Sequence, residues 1–195
     1  MKLKQEQTLV LVKPDGVKRG LIGEIIRRVE QRGLKVVGLQ MFQATKIDLS
    51  KHYSDSKENL KAMGEKTLGT YQKYGLDSVK EIGTADATKI GKMVHGWIVD
   101  FMCSGPIVKI VVQGLHAVEM VRKIVGGTMP SGADMGTIRG DYSVDSAVLA
   151  NAQKRGIRNL VHASGNIAEA ESEIKLWFAD KEIHSYQRAE EDIMF

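Results

Sequence analysis

His162 stands between an apolar pair, Leu160-Val161, and a run of small residues, Ala163-Ser164-Gly165, that ends in Asn166. The apolar pair reads as strand. Asn166 and Glu169 have the spacing of a capping box, with Ile167, Ala170, Ile174 and Trp177 as the apolar stripe of the helix behind it. A side chain at such a strand-to-helix junction meets free backbone donors, a setting that suits chemistry on a phosphate. Cations and polar groups stand singly at the ends of other predicted elements: Lys13, Arg122, Thr128, Arg139 and Asn159. Arginine grips phosphate oxygens two at a time and lysine adds a compact charge, so this set fits a polyphosphate held by side chains.

Other chemistries are excluded by what is missing. The sequence has no G-x-x-x-x-G-K-[ST] loop, no G-x-G-x-x-G fingerprint, no H-E-x-x-H and no G-x-S-x-G. Cys103 is the only cysteine, which rules out an internal disulfide and a multi-cysteine zinc site. The chain has 195 residues, 43% hydrophobic and 27% charged, the balance of a globular domain. No run approaches the roughly 18 apolar residues of a membrane helix. Met1-Lys2-Leu3-Lys4-Gln5-Glu6 lacks a hydrophobic leader core, so the expected location is cytoplasmic. The net charge of +4 suits small phosphates. Without long basic runs or interleaved aromatics, it points away from nucleic acid.

The elements that must position these residues follow from periodicity. Thr8–Val12 is β-branched and reads as a buried strand, ending in the turn residues Pro14-Asp15-Gly16 and delivering Lys13 to the strand end. Gly20–Arg32 is an amphipathic helix, with Leu21, Ile22, Ile25, Ile26 and Val29 on one face and Gly33 at its C′ position. A second strand is expected over Leu34–Ala44 and a short helix over Asp48–Tyr53, capped near Asp48. Across 55–104, Leu60, Met63, Thr67, Leu68, Tyr71 and Tyr74 keep helical spacing. After a break at Gly83, Ile90, Met93, Val94, Trp97, Ile98 and Phe101 do the same. Trp97 and Tyr74 read as core residues, not ligand contacts. Pro106–Val112 is a third strand and Leu115–Val125 a helix, with Val118, Val121 and Val125 inward and a Glu119–Lys123 pair. A glycine-rich loop over Gly126–Gly140 and a short helix within Ser143–Arg155 (Val144, Val148, Leu149, Ala152) precede the His162 strand. The charged tail from Asp180 to Phe195 is expected to wrap over a surface. Four strands with two covering helices predict an α+β fold, a ferredoxin-like βαββαβ antiparallel sheet with extra helical elements.

The chain resembles the nucleoside diphosphate kinases. The resemblance rests on Thr8-Leu-Val-Leu-Val-Lys-Pro-Asp-Gly-Val17, Ser104-Gly-Pro106, Gly136-Thr-Ile-Arg-Gly-Asp141 and Asn159-Leu-Val-His-Ala-Ser164, in the family's order and ending in its N-x-x-H-[GA]-S signature. It implies a single domain over 1–195, with a helical insertion at about 55–103. It implies transfer of the γ-phosphate of a nucleoside triphosphate, typically ATP, to a nucleoside diphosphate by ping-pong exchange through phosphohistidine at His162. Lys13, Arg122, Thr128, Arg139 and Asn159 would bind phosphates and ribose, and Tyr53, in the His52-Tyr53 pair, would line the same pocket. Glu173, eleven residues past His162, would accept a hydrogen bond from the imidazole, with Ser164 supporting it. An imidazole of ordinary pKa, about 6.5, is mostly neutral at pH 7, so the need is for orientation. One ring nitrogen must donate so that the other presents its lone pair. No carboxylate pair is set aside for a metal, so Mg²⁺ is expected to arrive on the nucleotide. A homo-oligomer, hexamer or tetramer, is implied as well.

The sequence departs from the family's pattern in three places. Gly165 stands where aspartate is usual, and activity is expected to survive this. The segment between Asp141 and Asn159 is long enough for an extra helix. Residues 55–103 replace a shorter hairpin that supplies an aromatic against the base, and Leu60, Met63 or Tyr71 could take that place. The insertion is expected to alter the lid over the nucleotide or the subunit contacts. Two rival functions are a non-catalytic nucleotide-binding regulator and a phosphocarrier histidine domain. A degenerate regulator should have lost His162, Lys13 or Arg139, and a phosphocarrier needs no such set of cations.

Overall fold

A computed structural model describes residues 5–194, and the expectation for the leader region at 1–4 lies outside them. Strand β1, Glu6–Val12, lies inside the sheet and is buried on both faces: Leu9 and Leu11 point one way, Val10 and Val12 the other. It is followed by α1 (Pro14–Lys18), α2 (Ile22–Gln31) and β2 (Lys35–Phe42). Next come α3 (Lys46–His52), α4 (Lys57–Lys73), α5 (Ser78–Ile82) and α6 (Ala87–Cys103). Strand β3 (Ile107–Gly114), α7 (Ala117–Val125), α8 (Ile138–Tyr142) and α9 (Ala147–Ala152) lead to β4 (Val161–Ala163), α10 (Ile167–Trp177) and α11 (Glu191–Met194). The sheet order is β2-β3-β1-β4 with every pairing antiparallel, and His162 lies opposite Leu11. This is the expected four-stranded α+β arrangement. Among the described residues no helix is long and apolar enough to cross a membrane.

Each face of the sheet has its own core. Ile25 and Val29 of α2 and Val121 and Val125 of α7 pack on Val10, Val12, Val108, Ile110 and Val112. On the other face Leu49 of α3, Val99 and Met102 of α6, and Ile174 and Trp177 of α10 meet Leu9, Leu11, Ile107 and Val111. The α10 packing carries Glu173 to the underside of β4.

Helices α4 and α6 form a hairpin whose own core is Tyr71, Ile82 and Ile90, with Leu68, Met93, Val94 and Trp97 around them. They cross backbone on backbone. A Cβ on Gly64 would lie 1.7 Å from the Ala87 carbonyl oxygen, and one on Gly91 would lie 1.7 Å from that of Leu60. Only glycine allows so close a crossing. Tyr74, expected in this core, is 53% exposed, because it is the C-cap residue just past the buried stripe.

Local chemistry moves several expected boundaries. Pro14-Asp15-Gly16 opens the short helix α1 with proline in its first turn, where a missing N–H costs nothing. The cap of α3 is Thr45, in a reciprocal capping box with Asp48. Gly33 (φ 82°) takes the C′ position of α2 as expected. The glycine-rich loop includes α8, capped by Thr137. Helix α9 is shorter than Ser143–Arg155 because the Asp145 carboxylate is engaged by Arg155, the Ser146 N–H and the Arg158 N–H, which holds both flanks non-helical. Val144 is consequently exposed. At α10, Asn166 accepts the Glu169 N–H at 2.9 Å without the reciprocal bond, and Ile167 is exposed in the first turn, not part of the buried stripe. The tail lies over β2: His184 N–H donates to the Val37 carbonyl, the Tyr186 hydroxyl to that of Val36, and Lys35 pairs with Glu191 at 2.8 Å. Phe195 lies outside the described residues.

Candidate active site

The site is built where the ends of β1 and β4 meet. The Lys13 N–H donates to the Leu160 carbonyl at 2.8 Å, and the Leu160 N–H donates to the Asp15 carboxylate at 3.1 Å. These bonds pin Leu160 in the left-handed region, φ 69°, a strained conformation for a branched residue. The turn presents Asn159 on one side and His162 on the other. Lys13 donates its ammonium to Asn159 Oδ1 at 2.7 Å, and Asn159 Nδ2 donates to the Thr128 carbonyl at 2.9 Å. Arg139, 7% exposed, donates to the carbonyls of Asn159, Gly126 and Val161. A guanidinium has five N–H groups, so two remain for a ligand. Burial and the neighbouring Arg122 charge lower the Arg139 pKa to about 10. Burial, then Arg139, brings Lys13 down to about 8. Crowded, desolvated cations like these are what an anion relieves.

Behind them, His162 Nε2 lies 2.9 and 3.0 Å from the two Glu173 carboxylate oxygens. The Ser164 hydroxyl donates to Glu173 Oε2 at 2.6 Å and accepts the Leu9 N–H at 3.3 Å. Burial raises the Glu173 pKa, but the His162 and Ser164 hydrogen bonds outweigh it, and the net shift is downward. A carboxylate so held accepts a proton from Nε2–H, which leaves the lone pair on Nδ1.

A single cavity of about 560 Å³ is lined by Lys13, Tyr53, Arg122, Thr128, Arg139, Asn159 and His162. Every sequence-derived binding residue is therefore brought to one place. Glu173 and Ser164 are not in its wall, and they reach it through the imidazole. Burial drives the Tyr53 phenol well above its usual pKa range, so it stays neutral. Of the residues proposed to cover the base, Met63 lines the cavity, while Leu60 does not and Tyr71 is buried in the hairpin core. Beside Gly165 stands Glu169, whose Oε2 would lie 2.7 Å from a Cβ at 165, a contact that a turn of the glutamate side chain would relieve. The turn thus has a carboxylate beside it, supplied from the first turn of α10.

His52 was not singled out by the sequence. Its ring meets that of His162 edge to face, centroids 4.6 Å apart, and its side chain is 1% exposed. Trp177 Nε1–H donates to His52 Nδ1 at 3.2 Å. Burial, then the adjacent His162, depresses the His52 pKa to about 3, so it is neutral and bears its proton on Nε2. The available signal was the His52-Tyr53 pair, but the burial depends on Trp177, far along the chain. His52, His162 and Glu173 are the described residues closest to a metal-ligand cluster, with candidate atoms within 4.8 Å of one another. Trp177 donates to His52 Nδ1, and Ser164 and His162 donate to Glu173, so the trio reads as a positioning network. Among the described residues the cavity wall offers one carboxylate, Glu169, too few for a dedicated Mg²⁺ cage.

The family model for nucleoside diphosphate kinase matches residues 6–65 and 80–183. A nucleoside diphosphate kinase of Pyrobaculum aerophilum is 48% identical over 178 residues, 91% of this chain and 97% of the relative. The crystal structure of an NDP kinase from Pyrobaculum aerophilum superposes with a TM-score of 0.90 at 46% identity, covering 93% of this chain and 100% of the other. A Borrelia burgdorferi nucleoside-diphosphate kinase, solved as a transition-state mimic with vanadate and ADP, gives a TM-score of 0.76 at 35% identity, covering 96% and 95%.

Proposed function

This chain belongs to the nucleoside diphosphate kinase family, and we propose that His162 Nδ1 is the atom through which it passes the phosphoryl group. The enzyme is a phosphotransferase that moves the γ-phosphate of a nucleoside triphosphate to a nucleoside diphosphate. The observation that carries the proposal is the commitment of Nε2 to Glu173 beneath a cavity walled by Lys13, Arg122 and Arg139.

In the proposed reaction the Nδ1 lone pair attacks the γ-phosphorus in line and the bond to the β,γ-bridging oxygen breaks. The nucleoside diphosphate leaves, a second one binds, and its terminal oxygen takes the group back. The ring gains positive character as the phosphorus–nitrogen bond forms, and Glu173 stabilises it through Nε2–H. Ser164 holds Glu173 through its hydroxyl, and the His52 ring packs edge to face against the imidazole. Arg122, Arg139, Lys13 and Thr128 meet the phosphate oxygens, and such pre-placed charge supplies most of the stabilisation in phosphoryl transfer. Asn159 and Lys13 also meet the ribose. Mg²⁺ is proposed to enter on the nucleotide and neutralise its phosphates. The unit is proposed to be one catalytic domain with its helical insertion, cytoplasmic, and assembled as a hexamer or tetramer. Exposed Leu39 and Met41 on the edge strand β2 support assembly.

The test is incubation with γ-labelled ATP and magnesium. The expected product is an acid-labile, alkali-stable phosphoprotein that discharges onto GDP and is absent in His162→Ala. Label persisting in that variant would move the nucleophile to another histidine.

A further inference from the structure

The phosphate-binding residues occupy only part of the cavity. Its remaining wall comes from Met63, Lys66, Thr67 and Thr70 of α4, from Val94, Ile98 and Phe101 of α6, and from Ala147 and Asn151 of α9, followed by Arg155–Ile157. The apolar members make a slot for a flat ring. At Gly156 a Cβ would sit 3.1–3.2 Å from Phe101 and the Trp97 carbonyl, so the missing side chain lets α6 close on this loop.

The polar members can be sorted by what they already do. The Thr67 and Thr70 hydroxyls donate back to the Met63 and Lys66 carbonyls. Arg155 is taken up by Asp145, Gln153 and the Gly156 carbonyl. The Asn159 amide is committed to Lys13 and Thr128. Lys66 is exposed and can only donate. Asn151 differs from all of these. It is 7% exposed and lines the cavity, and among the described residues its amide has no hydrogen-bond partner. Its amide atoms are not sealed from solvent but open onto the cavity, where a ligand that pairs with them takes the place of water.

We propose that Asn151 contacts the polar edge of the nucleotide base, making α9 the base-reading element of the site. This rests on the kinase reading above. The contact predicts tolerance among bases. The amide offers a donor and an acceptor side by side, and turning it over exchanges the two. Amino and oxo edges can then both be paired, so one side chain serves adenine, guanine and the pyrimidines without selecting strongly among them. Met63, unbranched and adaptable, suits the apolar face of the same slot.

The test uses enzyme already carrying the phosphoryl group, so a failure to label at all would indict the kinase reading and not this one. Discharge of labelled wild type and Asn151→Leu is followed with ADP, GDP and ribose 5-diphosphate, which has no base. The concentration for half-maximal discharge should rise roughly 3- to 10-fold for ADP and GDP, the weight of one lost hydrogen bond, while that for ribose 5-diphosphate is unchanged. An equal rise for all three, or no rise, overturns the proposal. Should the leucine variant not fold, isosteric Asn151→Asp decides alone. Its side chain only accepts, so the ADP-to-GDP ratio should move by roughly threefold or more, and a smaller change overturns the proposal.

Discussion

Glu173→Gln isolates the charge beneath the imidazole while keeping its shape. In the native enzyme the two carboxylate oxygens lie 2.9 and 3.0 Å from His162 Nε2, and the second also takes the Ser164 hydroxyl at 2.6 Å. The amide has one oxygen for two donors, and its nitrogen cannot face Nε2–H. Losing the charge-assisted part of one hydrogen bond costs about 1–1.5 kcal/mol. A full positive charge about 4 Å from the carboxylate is worth about 4 kcal/mol at an effective dielectric near 20, and partial charge development brings in about half of that. The sum, about 3 kcal/mol, corresponds to a roughly 150-fold slower phosphorylation step. Rapid-quench measurement of a single turnover with γ-labelled ATP reads this step directly. Calorimetric ADP affinity should stay within about twofold, because Glu173 does not line the cavity. A single-turnover rate within threefold of wild type, or a loss confined to ADP affinity, would refute the account of Glu173 as the group that steadies the charged ring.

Three further outcomes are expected. The Lys13 ammonium, at about 8 in the empty site, loses its proton as pH rises, so kcat/KM for nucleotides should fall above pH 8 while kcat holds, since bound phosphate keeps it charged; a kcat/KM profile flat to pH 9.5 contradicts this. With the His52 pKa lowered to about 3, the unfolded chain binds a proton below pH about 6.5 that the folded chain refuses, so stability falls with pH in that window. His52→Phe should therefore lose less stability between pH 6 and pH 4.5 than wild type, by up to about 1.4 kcal/mol per pH unit in urea titrations, although orphaning the Trp177 N–H lowers its stability at pH 7. Gly64→Ala and Gly91→Ala each set a methyl carbon against a carbonyl oxygen at 1.7 Å, and each should destabilise by about 3 kcal/mol or force α4 and α6 apart, read by chemical denaturation and by weakened ADP binding.

The strands and the His162 junction were legible because their signals are local: β-branched runs, a turn of small residues and an asparagine cap. The cations of the site were legible as a set, since Lys13, Arg122 and Arg139 each stand at an element end. What escaped depends on partners far along the chain. His52 is silent until Trp177 buries it and caps Nδ1. Tyr74 fits the helical period of its neighbours, but α4 stops one residue short of it. Helix α9 is trimmed by the Asp145 carboxylate gathering Arg155 and the Arg158 N–H, an arrangement no periodicity encodes. Gly64 and Gly91 look like weak points in their own helices, and only the crossing gives them a purpose.

That crossing bears on how the protein handles ligands of different girth. With main chain resting on main chain at both glycines, α4 cannot roll along α6 without driving carbonyl oxygens into Cα atoms. The pair behaves as one stiff plate forming a side of the cavity. A purine is wider than a pyrimidine by a ring, and a plate that does not yield leaves that difference to soft parts mounted on it. Met63 and Phe101 are such parts. Breadth of substrate range would then come from a rigid frame with pliant facing, and not from a loose frame.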